Sequence, residues 1–173
     1  MRKFLTSLLS ERTGGPALEM ALIAPVFIAI MLVTFDMGYM LFVQGVLDGA
    51  ARNAARVVRT GQAQTSADPS GTFFAALNAG LSGVINSAAV TADVESYADF
   101  STLKSSLPAL IDPKTGKPVT NFTPGSPNSA VAVRVTYIYN FMVPWEGTLL
   151  MGAKPGSARL VTTVVFKNEP YPT

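Results

Sequence analysis

Glu19 is the first residue whose type and place call for chemistry. It follows Gly14-Gly15 by a few residues and opens a long apolar run, Met20 to Val43, in which Asp36 is the only formal charge. A charged side chain at the middle of a bilayer helix costs ~3 kcal/mol, and less near the end. A carboxylate at the rim of such a run is explained by pairing with a cation on another chain. Its plainer explanation is a carboxylate resting at headgroup level. Asp36 has the same two readings, a partner within an assembly or simple interfacial placement. Arg52, Arg56 and Arg59 then recur at helical spacing on one face, and Asp48 stands four residues before Arg52, the favourable order for an acid–base pair on a helix.

Other chemistries lack their residues. The chain has no His and no Cys, which removes the usual general base, the commonest transition-metal ligand, thiolate sites and disulfides. Glycine-rich phosphate loops are absent, and no nucleophile–base constellation is visible. Asp93, Glu95 and Asp99 are chemically able to hold a hard cation, yet they lack a glycine-centred ligand loop and read as solvated surface. Tyr137, Tyr139 and Trp145 form a possible contact patch, although tyrosines on a strand more often divide between core and solvent. A net charge of +2, with no dense basic block, gives no footprint for nucleic acid. The reading is of a protein that is not an enzyme and needs no cofactor or metal.

The elements that must position these residues follow from the pattern. Charged residues make up 14% of the 173 residues, below the ~25% of ordinary soluble domains, and the deficit is concentrated in the apolar run. That run exceeds the ~20 residues a bilayer core requires and is too long for an ordinary signal-peptide core. A retained span is therefore expected. Arg2, Lys3, Arg12 and the amino terminus face Glu11 alone on the leading side, a lean toward a cytoplasmic N-terminus. Pro16 suits the first turn of a helix, and the helix is expected from about residue 16 to about residue 60. Pro25 lies inside it and predicts a kink. Gly45 and Gly49 are a small-xxx-small pair that would let a second helix approach, a spacing that also arises by chance in apolar helices.

Beyond the helix, Asp68-Pro69 is a cap and first-turn signal, and the spacing of Phe73, Phe74, Leu77, Leu81, Val84 and Ile85 predicts a helix over 69–86. Strands are expected at 88–96, 130–143 and 158–167. A short helix is expected within 99–110, and exposed loops at 111–129 and 144–156. The fold class is α+β, a long N-terminal transmembrane helix followed by a small helix-plus-antiparallel-sheet domain. The expected divisions are a leader at 1–14, the long helix at 15–60 and an extracytoplasmic domain at 61–173.

Gly14-Gly15-Pro16-Ala17-Leu18-Glu19-Met20-Ala21-Leu22-Ile23-Ala24-Pro25 resembles the N-terminal segment of TadE-like pseudopilins. Phe35-Asp36-Met37-Gly38-Tyr39 and Asn53-Ala54-Ala55-Arg56-Val57-Val58-Arg59 resemble the next blocks of that family, and Val164 to Tyr171 resembles the tail of some members. The resemblance implies a minor pilin-like component of the tight-adherence (Flp) pilus system. It also implies cleavage by a prepilin peptidase between Gly14 and Gly15. A cut after Gly15 would place Pro16, with its tertiary amide, on the far side of the bond. Its implied surroundings are the bilayer of a bacterial inner membrane, other pilins and pseudopilins, and the inner-membrane platform. Pro16 and Met20 depart from the usual family segment. Two further readings of the chain are a single-pass anchor carrying an outer domain that binds a ligand or cell-wall component, and an exported hydrolase.

Overall fold

A computed structural model describes residues 15–114, 116–143 and 156–171. Helix α1 spans Gly15–Arg59 and runs on through Pro25. By contacts the chain divides between Tyr39 and Met40, so α1 contributes to two units. In the first, the apolar side chains face outward. Leu18, Leu22, Val26, Phe27, Ile30 and Phe35 are all exposed, whereas Asp36 is buried. Among the described residues α1 is the one helix long and apolar enough to cross a membrane. Its length and composition suit a membrane anchor.

The second unit begins at Met40, where the burial pattern of α1 changes. Met40, Val43, Leu47, Ala50, Ala51, Ala54, Val57 and Val58 are buried at three- and four-residue steps, the stripe of a helix lying on a core. Each fully buried Leu or Val contributes roughly 1.5–3 kcal/mol, while the alanines keep the helix close to its neighbours. The helix stops because Gly61 takes a left-handed φ of 78°, the conformation that most often ends helices and that glycine adopts without steric cost. The expected end near residue 60 agrees.

Helix α2 spans Pro69–Leu81. Asp68 caps it by accepting the Gly71 N–H at 2.9 Å, with Pro69 in the first turn, as the sequence predicts. It ends earlier than the predicted 86. Ser82 and Gly83 both adopt positive φ, 51° and 72°, so the chain turns away although Val84 and Ile85 continue the apolar spacing. A 3-10 turn at Ser87–Ala89 leads into strand β1, Val90–Tyr97. Helix α3 is Phe100–Ser106. Asp99 caps it through the Thr102 N–H at 2.7 Å and the Ser101 hydroxyl at 2.8 Å. These donors hold the Asp99 carboxyl down at about 2, led by the Thr102 N–H.

Strands β2 (Ala130–Asn140) and β3 (Ser157–Lys167) complete an antiparallel sheet of order β1-β2-β3. β2 is central, and its first seven residues are buried on both faces. Val131, Val133 and Val135 face the side on which α1 lies, because their β3 partners include Thr162 and Val164, next to α1. On the other face Ala130 and Ala132 cluster with Leu103 of α3 and with Tyr97. The result is the expected α+β arrangement of helices on a small antiparallel sheet.

Residues 111–129 are more ordered in their pairing than a simple exposed loop. Asn121 and Thr123 bond both backbone groups of Val94 at 2.8 Å, and Phe122 places its ring 5.5 Å from that of Phe73. This segment covers the outer side of β1. The expected 144–156 loop with Trp145 lies almost wholly outside the described residues.

Candidate functional site

Glu19 lies in the second turn of α1 and is exposed, among exposed Leu18, Met20 and Leu22. Gly15 is the first residue of α1, and a side chain placed there would meet nothing within 4 Å. Gly14 lies outside the described residues. The geometry presents a carboxylate on the surface of an apolar rod one turn from Gly15. A carboxylate so placed accepts from any ammonium brought beside it, and in an apolar setting the attraction is far stronger than in water.

Asp36, the other charge of the apolar run, is buried and so is not displayed on the apolar surface. Gly45 and Gly49 are exposed, and a Cβ at either would meet nothing within 4 Å. The close helix approach inside the chain is elsewhere. A Cβ built on Gly80 of α2 would fall 2.5 Å from the Ala50 Cα of α1, and the Asn53 amide donates to the Ala76 carbonyl at 3.1 Å one turn away. Nothing local marks this crossing in the sequence, since Gly80 sits near a helix end where glycine is common.

The expected Asp48–Arg52 pair is not among the ion pairs of the described residues. Asp48 faces the sheet instead. The Thr162 hydroxyl of β3 donates to its Oδ1, and the Gln44 amide donates to the same oxygen at 3.0 Å and to Thr162 at 3.1 Å. Arg52, Arg56 and Arg59 do share a face, as their spacing predicts, and line a cleft of about 310 Å³ with Val164, Val165 and Phe166 of β3. Arg59 also pairs with Glu169 at 3.2 Å. The Glu169 N–H donates to the Arg59 carbonyl at 2.9 Å, satisfying an orphan group at the end of α1. Tyr171 packs its ring on Gly61, where a Cβ would collide with it. The C-terminal tail thus clasps the exit of the helix.

Asp93, Glu95 and Asp99 go to three different tasks. Asp93 is buried against Arg134, its cross-strand partner, whose Nε donates at 3.0 Å. Glu95 accepts from Asn121 at 2.8 Å and from the Tyr97 hydroxyl at 2.5 Å. Burial and then that carboxylate push the Tyr97 phenol up to about 12. Asp99 caps α3. Among the described residues no cluster of three or more acids stands ready for a metal. Tyr139 is buried, edge-on to Phe141 with ring centres 5.4 Å apart, whereas Tyr137 is half-buried. The two tyrosines therefore do not form one exposed patch. Sequence reasoning overlooked one Ser-x-x-Lys spacing, Ser101 to Lys104 in α3. The Ser101 hydroxyl is committed to Asp99 in the helix cap.

The model of the TadE-like protein family matches residues 14–56, so that segment is TadE-like, which supports a pilin-like role associated with the Tad pilus. Neither the curated proteins nor the solved structures searched contain a match to the chain.

Proposed function

We propose that the chain is a minor pilin-like subunit supporting assembly of a Tad/Flp-type adhesive pilus, with its chemistry done to it rather than by it. It is not an enzyme, and it uses no cofactor or metal. A prepilin peptidase cuts between Gly14 and Gly15 on the cytoplasmic side of the bacterial inner membrane. Glycine before the bond leaves no side chain to seat, and its loose backbone lets a helix end open into a protease cleft. Gly15 then carries the new ammonium. Glu19 of one subunit pairs with that ammonium on a neighbouring pilin or pseudopilin, and the pair sets the register between helices. Buried pairs give register more dependably than net stability. The bilayer and the inner-membrane platform are the other partners, and residues beyond the span lie outside the membrane.

The observation that carries this reading is the exposed Glu19 at the head of an apolar helix, inside a TadE-like match that begins at residue 14. Glu19→Ala tests it. The variant should insert in the membrane as well as the parent, but surface pili counted by electron microscopy should fall on the order of tenfold, which is ~1.4 kcal/mol lost from assembly. Glu19→Asp should restore part of the loss. Unchanged piliation in Glu19→Ala would remove the pairing from the account.

A further inference from the structure

The cleft beside Arg52, Arg56 and Arg59 plays no part in anchoring or N-terminal processing. Its other wall is three consecutive residues of β3, Val164, Val165 and Phe166. Consecutive strand residues point to opposite faces, so a space lined by all three runs along the side of the strand. β3 is the last strand of the sheet, and among the described residues nothing pairs with its outer side. An edge strand of this kind offers a row of backbone donors and acceptors to another chain. The cleft lies toward the Ala130–Lys167 end of the β2–β3 pair, away from the Asn140–Ser157 end where the two strands are joined.

The charge of the other wall specifies what would fit. Arg59 has Glu169, but that pair is about half exposed. Among the described residues neither Arg52 nor Arg56 has an ion-pair partner. Three guanidinium groups thus stand against one carboxylate along an open strand edge. We propose that this cleft receives an extended acidic segment of a partner chain, which adds to β3 as a fourth strand while its carboxylates meet Arg52 and Arg56. Backbone pairing supplies affinity in such strand addition and side chains supply selection. Arginine suits the second task because it grips a carboxylate with two parallel bonds. An anionic lipid headgroup would satisfy the arginines but leave the strand edge unused. The inference goes beyond the proposed role in assembly and does not depend on cleavage at Gly14.

Full-length protein in nanodiscs of neutral phosphatidylcholine tests it, with a fluorescent octapeptide alternating Glu with Val and Thr as the probe. Anisotropy at low salt should show saturable binding. Arg52→Gln/Arg56→Gln should weaken it by at least about tenfold, two charge-assisted contacts being lost. The same peptide with its central backbone amides methylated should weaken comparably, and a version with Lys for Glu should not bind. Equal binding of the methylated peptide would overturn strand addition. Equal binding by the arginine variant would overturn the charge match. Protein that ignores the peptide but captures phosphatidylglycerol vesicles through Arg52 and Arg56 would overturn the proposal in favour of lipid.

Discussion

Arg134→Leu should lower the stability of the second unit by about 3–5 kcal/mol, the cost of leaving one partner of a buried ion pair alone. Arg134 and Asp93 are both only 6% exposed at their side chains. The guanidinium donates through Nε and Nη2 to one carboxylate oxygen and through Nη1 to the Pro108 carbonyl at 2.5 Å. Asp93 takes the Asn121 N–H at 3.1 Å on its other oxygen. The pair therefore ties β1, β2 and the segments at 108 and 121 together. Leucine fills much of the space but leaves a charged oxygen without its donors. At ~2–4 °C per kcal/mol for a chain of this size, the melting temperature should fall by roughly 10 °C. Asp93→Val/Arg134→Leu should recover at least half of that, because an apolar pair of similar volume replaces a buried ion pair at little cost. A double variant no better than the single one would show that the hydrogen bonds to 108 and 121, not the stranded charge, dominate.

Gly80→Val should produce the second large loss. The first added carbon would sit 2.5 Å from the Ala50 Cα and 2.8 Å from its Cβ. The obstacle is backbone, so α1 and α2 must move apart, and Asn53 then loses its reach to the Ala76 carbonyl. Overpacking of this kind costs roughly 1–3 kcal/mol and more where backbone must shift. Gly45→Val makes the comparison, since that position is open and valine is a slightly better helix former than glycine, so the same change there should leave stability unchanged or raise it by less than about 0.5 kcal/mol. Thermal unfolding followed by circular dichroism in detergent reads both. Equal losses at the two glycines would contradict the observed helix crossing.

What the chain displays locally was legible. Pro16, the apolar run and Gly61 bracket α1, and Asp68-Pro69 marks the start of α2. Alternation in Val and Tyr marks β2. What depends on distant residues was hidden. Asp93 and Arg134 are 41 positions apart, and neither hints at the other until β1 and β2 pair. Asp48 reads as a partner for Arg52 by helical spacing, but Thr162 reaches it from a strand 114 positions away. The end of α2 was misread because apolar spacing persists through Ile85 while Ser82 and Gly83 turn the backbone. The density of turn-forming residues over 111–129 concealed Phe122, whose place depends on β1 and on the Phe73 ring. Glu19 was conspicuous for the opposite reason: a charge at the edge of an apolar run stands out with no tertiary information.

The identity of the first residue in the mature chain bears most directly on the central claim, and intact-mass spectrometry of protein from native membranes reads it. A chain beginning at Gly15, and one retaining residues 1–14 when the prepilin peptidase is removed, is the predicted pair of results. A chain that keeps Met1 with the peptidase active, or one that begins near Arg52, would contradict the pairing of Glu19 with a freed terminus.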